Sequence, residues 1–579
     1  MGKIKEKWGD KYQREHRKVA VITFTNAATD EIVRRMEYND LFHVATIHSF
    51  LWDAIKTYQR DIKKYYKEIK TLELDELKNK QASAKNKTTK TYLLNQAKIE
   101  KLSSKLSTID TDVKKFIYNP NGDNLTKDSL NHSDIIKIGT RMILENVLLQ
   151  KVIVQQYPFF LVDESQDTKK ELIEVLFKIQ KDFAAEFTLG FLGDIKQRIY
   201  VDGAENTQSS LDESWRTPIK RMNYRCSKRI VELANAIALT IDSNGEQHAL
   251  ENAPDGFVHL FIIDNSQDDT IDDESFESKV CVKMATISGD GEWLPEKKNV
   301  KMLILEHLMA AKRLGFADFH NALAHLSKYQ MSYLQGEIPE LSVIHSVLLP
   351  LYGMIKESRG AESLELLKKY SPLLNLTEDD SPFVNLRKCN DVVTGIIRLI
   401  DENATLRDII VYLVDNKLFE VDGYLVGVSK NFLEELCEED KKDERLVAWT
   451  TVMDIPIHQI IRYYEYVQRK TKYDTHQGVK GLEFPRVLVI INDDEARGFL
   501  FSYDKLFGVK ELSKADLENQ LNGKESSVER TTRLLYVTCT RAIESLALLL
   551  YTSTPEKAKN HAIEMGWFKE NEISILPKD

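Results

Sequence analysis

Cysteine is scarce in this 579-residue chain. The five residues Cys226, Cys281, Cys389, Cys437 and Cys539 lie far apart, and none forms a C-x-x-C pair. That spacing argues against a zinc or iron–sulfur site and fits a reducing, cytoplasmic compartment. No apolar run approaches the roughly 18 residues of a membrane span, so no membrane partner is expected. The opening Met1-Gly2-Lys3-Ile4-Lys5-Glu6-Lys7 is too polar for a signal peptide. Excess positive charge is missing as well: the net charge is −10, which does not by itself announce a nucleic-acid binder.

What is present is an ordinary globular balance, 42% hydrophobic and 29% charged residues, over a length that predicts about three or four domains. The charge is uneven. Residues 56–115 hold 16 Lys and Arg against 8 Asp and Glu, whereas 268–277 and 434–444 are acidic. A local basic element on an acidic protein is compatible with phosphate contact, and a solvated helical hairpin has the same composition.

Val19-Ala20-Val21-Ile22-Thr23-Phe24 reads as a buried strand followed by a helix over 27–36. Residues 51–115 carry helical spacing without proline, the pattern of a helical insertion built from a pair of long antiparallel helices. Asn119-Pro120-Asn121-Gly122-Asp123 ends it with turn chemistry. Strand and helix patterns then alternate through 159–162, 187–192 and 227–240, become helical over 317–450, and return to β at 486–491 and 546–551. Such alternation predicts an α/β protein with two parallel-sheet cores, each interrupted by a mostly helical insertion. The predicted parts are a first core of 1–50 and 116–240, a Lys-rich insertion of 51–115, a second core of 241–316 and 451–579, and an insertion of 317–450.

The densest chemical signal is Phe159-Phe160-Leu161-Val162-Asp163-Glu164-Ser165-Gln166-Asp167. Two adjacent carboxylates end a short buried strand, the position at which open α/β sheets hold ligands. An ATPase needs one acid there for Mg²⁺ and another to orient the attacking water. Acids also end strands for no catalytic reason, so the order of the other motifs decides.

Read in order, Thr23-Phe24-Thr25-Asn26-Ala27-Ala28, Ala45-Thr46-Ile47-His48-Ser49-Phe50, Asp163 to Asp167, Gly193-Asp194-Ile195-Lys196-Gln197-Arg198-Ile199-Tyr200 and Asn223-Tyr224-Arg225 resemble the motifs of superfamily 1 helicases of UvrD/Rep type. Val479-Lys480-Gly481-Leu482-Glu483-Phe484 and Arg533 through Ala542 close the series. The resemblance spans most of the chain and implies two RecA-like P-loop NTPase cores. It implies that Asp163 holds Mg²⁺, Glu164 polarises the water attacking the γ-phosphate of ATP, and Gln197 senses that water. It also implies that Arg225 and Arg541 meet the phosphoryl oxygens, with Glu483 on the sugar side of the nucleotide and Gly481 among the nucleotide-binding residues. Arginine suits that role because its planar fork meets phosphate bidentately. Phe24, Asn26, Thr46 and His48 in the first core, and Gln477 and Lys480 in the second, become DNA contacts. Phe24 follows an apolar strand, the setting of a core residue, but the motif favours a DNA contact.

The sequence departs from the family in three places. The glycine-rich G-x-x-x-x-G-K-[S/T] phosphate loop, which the family places upstream of the first motif here, is missing. Gly2-Lys3 is followed by Ile4, and 3–8 reads as the helix after such a loop, so the chain is expected to begin inside the first core and to hydrolyse ATP poorly as it stands. Tyr200 is followed by Val201-Asp202-Gly203-Ala204, without the aromatic that stacks on a base, and His476 sits one place further from Lys480 than usual. The expectation is an ATP- and Mg²⁺-dependent 3′–5′ DNA helicase or translocase, N-terminally truncated. The alternative is a non-catalytic DNA-binding or regulatory subunit, similar to the helicase-like subunits of bacterial anti-phage systems of the Gabija kind, which act beside an OLD-family nuclease.

Overall fold

The computed structural model describes residues 1–23, 25–83, 90–118, 128–198, 211, 215–241, 245–265, 273–326, 328–374, 382–430, 432–433, 443–496 and 500–577. Contacts divide the chain into two compact units, Met1–Ile219 and Lys220–Asp579.

In the first unit, β1 (Val19–Thr23), β2 (Phe42–Thr46), β3 (Phe159–Val162) and β4 (Thr188–Phe191) form a sheet of order β2-β1-β3-β4. Every pairing is parallel. All five β1 residues are buried because both sheet faces are covered, as parallel sheets require. Ala20 and Ile22 enter a large cluster with Phe50, Leu51, Ile135, Phe160 and Leu172. Val19 and Val21, pointing the other way, pack with Tyr12, Leu41 and Phe42. The helix Lys170–Asp182 buries Leu172, Ile173, Val175, Leu176 and Ile179, a stripe at helical spacing.

The predicted Lys-rich insertion is a pair of helices, Gln59–Ala82 and Lys90–Asp112. They run antiparallel. The Gln59 side chain accepts the Phe116 N–H at 2.8 Å and donates to its carbonyl at 3.3 Å, and Lys67 pairs with Asp110 further along. Ile62, Tyr66, Ile109, Val113 and Phe116 join the main cluster, so the hairpin is rooted in the core of this unit. Lys70 meets Asp134 at 2.7 Å and Glu73 at 2.8 Å, and Lys137 meets Glu73 at 2.6 Å. Part of the basic charge is therefore internally balanced. The predicted turn at 119–123 lies outside the described residues.

The second unit opens with a two-stranded pair, β5 (Met222–Asn223) and β6 (His248–Ala249). Its main sheet holds β7 (Phe257–Asp264), β8 (Val300–Ile304), β9 (Tyr473–Thr475), β10 (Phe484–Ile491), β11 (Ala542–Thr552) and β12 (Ile573–Leu576), in the order β12-β7-β11-β10-β8-β9. It too is parallel throughout. The two parallel sheets with their helical regions are consistent with two RecA-like cores. Between β8 and its neighbour β9 the chain makes a long excursion whose described regular structure is helical, from His307–Leu314 to Ile457–Val467.

One expectation is corrected. The sequence grouped the helix Lys228–Ala238 with the first core, but it lies in the second unit, packed on β6, β7, β11 and the helix Ser527–Cys539. The Ser227 N–H donates to the Ile543 carbonyl at 2.8 Å, and Ile230, Val231, Leu233 and Ile237 are buried. Local pattern cannot tell which of two sheets receives an apolar stripe. Among the described residues no single helix is long and apolar enough to cross a membrane.

A buried ion cluster ties this unit together. Arg313 donates to Glu277 at 2.6 Å and to Glu495 at 2.9 Å, with side-chain exposures of 3%, 0% and 8% respectively. The Tyr473 hydroxyl donates to the other Glu277 oxygen at 2.5 Å, joining β9 to the cluster. Arg313→Ala would strand buried carboxylates, and should lower unfolding stability by about 3–5 kcal/mol in urea titrations.

Candidate functional site

Parallel pairing aligns the strand ends of the first unit. Thr23 lies opposite Thr46, Ile22 opposite Val162, and Val162 opposite Phe191. Residues following the strands therefore emerge along one carboxyl edge. The Asp163 N–H donates to the Ile22 carbonyl at 2.7 Å and the Ser165 N–H to the Leu192 carbonyl at 3.0 Å, locking the two segments beside each other.

Glu164 has φ 49° and ψ 44°, a left-handed backbone that costs a non-glycine residue about 1 kcal/mol or more. Its carboxylate accepts the Gln166 amide N–H at 2.6 Å. The Gln166 amide oxygen accepts the Asp194 N–H at 3.2 Å. Asp194 accepts the Lys196 N–H at 3.0 Å and the Gln197 side-chain amide at 3.2 Å. A polar relay thus joins Glu164 to Gln197, two residues named from sequence for one reaction. Asp163, Glu164 and Gln197 are half-buried. Gln166 and Asp194 carry the relay but received no role from sequence, although both lie inside the quoted motifs.

Mg²⁺ keeps several waters and binds through one or two carboxylates plus substrate phosphates, so it needs no dedicated protein cage. Among the described residues no group of three or more His, Cys, Asp or Glu could hold a metal ion. A hard carboxylate at a strand end fits Mg²⁺ in that phosphate-assisted mode, and Asp163 is such a carboxylate.

The first-unit candidates for nucleic acid are placed as follows. Thr46 is buried and caps the helix Ile47–Ile55, accepting the Ser49 N–H at 3.3 Å. His48 is half-buried with its ring 4.4 Å from that of His132. Burial, helped by His132 and Lys169, pushes its pKa down to about 4, so it is neutral at physiological pH. Asn26 is exposed at the start of the helix Asn26–Arg35. Phe24, and Tyr200 with the four residues after it, lie outside the described residues.

In the second unit the candidates gather at the opposite kind of edge. Phe484 of β10 pairs with Ala542 of β11, so the residues just before those strands, Glu483 and Arg541, are brought together. Arg225 donates to Glu483 at 2.7 Å and to the Thr540 carbonyl at 3.4 Å. Its own turn is held by Asn223, whose side-chain oxygen accepts the N–H groups of Arg225 and Cys226, both at 2.9 Å. Arg541 is 2% exposed and donates to the carbonyls of Val537 at 2.9 Å and Leu482 at 3.2 Å, and to the Thr540 hydroxyl at 3.1 Å. Gly481 has φ +84°, where a side chain would be strained.

Gln477 and Lys480 are half-buried on the same loop. His476 is fully buried; its Nε2–H donates to the Leu303 carbonyl at 3.2 Å, and Nδ1 accepts from the Tyr503 hydroxyl at 3.0 Å. Burial pushes its pKa down to about 4. The displaced histidine of the motif is thus a core anchor for the loop.

Residues 9–207 match the UvrD/REP helicase N-terminal domain. The chain is also a distant homologue, over nearly its full length, of the Gabija protein GajB of Bacillus cereus (strain HuB5-5). The two are 23% identical over 630 residues, which cover 93% of this chain and 88% of the relative.

Two measurements test this geometry. A Cβ on Gly193 would overlap the Gln166 and Ser165 side chains, so Gly193→Ala should cost about 1–3 kcal/mol of stability in thermal melts. His476 is neutral in the fold but titrates near 6.5 when unfolded. The stability this neutral form allows is complete above about pH 6.5 and is lost as pH falls towards 4. His476→Gln should make the melting temperature fall less steeply across that window.

Proposed function

We propose that this member of the UvrD-type helicase family uses ATP and Mg²⁺ to move 3′ to 5′ along single-stranded DNA and to separate duplex. The observation that carries the proposal is the relay from Glu164 through Gln166 and Asp194 to Gln197 at the carboxyl edge of a parallel sheet. Asp163 is the residue that would hold Mg²⁺, which when bound draws charge from the phosphoryl oxygens. Glu164 orients and deprotonates the attacking water. Gln197, linked to it, passes the state of that position towards the loop after β4. Arg225 supplies a cation to the γ-phosphoryl oxygens, and Arg541 supplies a second by leaving the Val537 and Leu482 carbonyls and the Thr540 hydroxyl that enclose it in this structure; Gly481 and Glu483 contact the nucleotide, Glu483 on its sugar side. Arg225 carries its charge on a half-exposed side chain, paired to Glu483; bidentate phosphate is a stronger acceptor for the same fork.

DNA is contacted through Phe24, Asn26, Thr46 and His48 in the first unit and Gln477 and Lys480 in the second. A neutral His48 offers a ring face to a base, a contact indifferent to sequence as a translocating motor requires. The similarity to a Gabija protein favours placing this activity in anti-phage defence beside a nuclease partner. A second reading, a non-catalytic DNA-binding subunit, predicts the same DNA contacts without dependence on Glu164.

The 579 residues contain no G-x-x-x-x-G-K-[S/T] sequence. In a version supplied with such a loop ahead of Met1, Glu164→Gln should reduce DNA-stimulated ATP hydrolysis about 10²-fold or more. Single-strand binding should be spared. Unwinding that survives the substitution would refute the role given to Glu164.

A further inference from the structure

The segment between β9 and β10 carries Gln477, Lys480, Gly481 and Glu483. Loops are ordinarily the most mobile part of such a core, yet this one is tied at several points. The Gly478 N–H donates to Thr475 Oγ1 at 3.0 Å. The turn is so tight that a Cβ on Gly478 would lie 2.7 Å from Thr475 Oγ1 and 2.8 Å from Asp474 Oδ1. The Gly478 carbonyl accepts Nη2 of Arg469 at 3.1 Å, and further on the Leu482 carbonyl accepts Nη1 of Arg541 at 3.2 Å.

Arg469 stands just beyond the helix Ile457–Val467, the last of the helical excursion, with its backbone at φ 58°. That conformation closes the helix as a Schellman cap: the Arg469 N–H donates to the Tyr466 carbonyl and the Lys470 N–H to the Glu465 carbonyl, both at 2.9 Å. The Arg469 guanidinium also lies 3.8 Å from Asp474, which in turn lies 3.8 Å from the ammonium of Lys301. Lys301 donates to the Thr471 and Tyr473 carbonyls at 3.2 and 3.4 Å, bracing the backbone that leads into the loop.

We propose that Arg469 is a positioning residue for nucleic-acid binding: by holding the Gly478 carbonyl it fixes the backbone between Gln477 and Lys480 in the form that grips a single strand. It links the end of the helical excursion mechanically to the gripping loop, while Arg541 anchors the same loop at its nucleotide-side end. The proposal rests on the reading of Gln477 and Lys480 as DNA contacts. Arg469 is partly exposed, at 44% of its side chain, so the competing role is a direct phosphate contact of its own. The two roles differ in salt dependence. A lost phosphate contact lowers the slope of log affinity against log salt by about 0.7 on single strands, whereas a lost brace leaves it unchanged.

The test is fluorescence anisotropy of a labelled single-stranded oligonucleotide with the full chain, without nucleotide, over a range of salt concentrations. Arg469→Ala should weaken binding about three- to tenfold, the scale of one charge-assisted hydrogen bond partly screened by water, with an unaltered slope. Arg469→Lys, which keeps one donor, should recover most of the loss, and melting curves establish that each variant is folded. Lys480→Ala is the reference for direct contact, lowering both affinity and slope. Unchanged affinity in Arg469→Ala beside a weakened Lys480→Ala would overturn the brace alone. A slope reduced in Arg469→Ala would overturn it in favour of direct contact. If neither substitution changes binding, the DNA reading of the loop falls and the proposal with it.

Discussion

Parallel strand pairing is the constraint on which both candidate sites depend. In a parallel sheet all strands enter at one edge and leave at the other, so residues far apart in sequence arrive side by side whenever they occupy the same end. In the first unit the shared end is the carboxyl edge, where the segments after β3 and β4 meet and Glu164 is joined to Gln197. In the second unit it is the amino edge, where the register of β10 with β11 sets Glu483 beside Arg541 and Arg225 closes on both segments. A slip of either register would separate these groups before any side-chain contact could form.

The second constraint is that buried polar groups must be satisfied. Arg541 is almost wholly enclosed, and its guanidinium is met by two carbonyls and a hydroxyl. Arg313 is enclosed between two carboxylates, and His476 sits between a carbonyl and a phenol. Each of these side chains ties separate stretches of chain together, and Arg541 and His476 lie on or beside the segments that bear the candidate contacts. The polar interior of the second unit is therefore also its mechanical frame. The relay in the first unit works alike: Gln166 is 5% exposed and spends its amide on Glu164 and on the Asp194 backbone.

The helical regions are integrated rather than appended. The hairpin of the first unit contributes Ile62, Tyr66, Ile109 and Phe116 to the main core, so its orientation on that unit follows from burial of those residues. The excursion of the second unit leaves from β8 and returns to the adjacent β9, ending at the arginine that reaches the loop before β10.

Much of this protein was legible in its residues alone. Short apolar runs marked the strands β1, β3 and β10, and proline-free Lys-rich periodicity marked the helical hairpin, because side-chain spacing reflects local backbone geometry directly. The order of the motifs named Asp163, Glu164, Gln197, Arg225, Glu483 and Arg541. The tertiary structure alone decided that the helix Lys228–Ala238 joins the second sheet, that Gln166 and Asp194 bridge Glu164 to Gln197, and that Arg541 is buried while Arg225 is half-exposed. Those outcomes depend on which faces and which buried acceptors meet across long stretches of chain. A contact between residues hundreds of positions apart, such as Arg225 with Glu483, leaves no periodicity in the sequence to read.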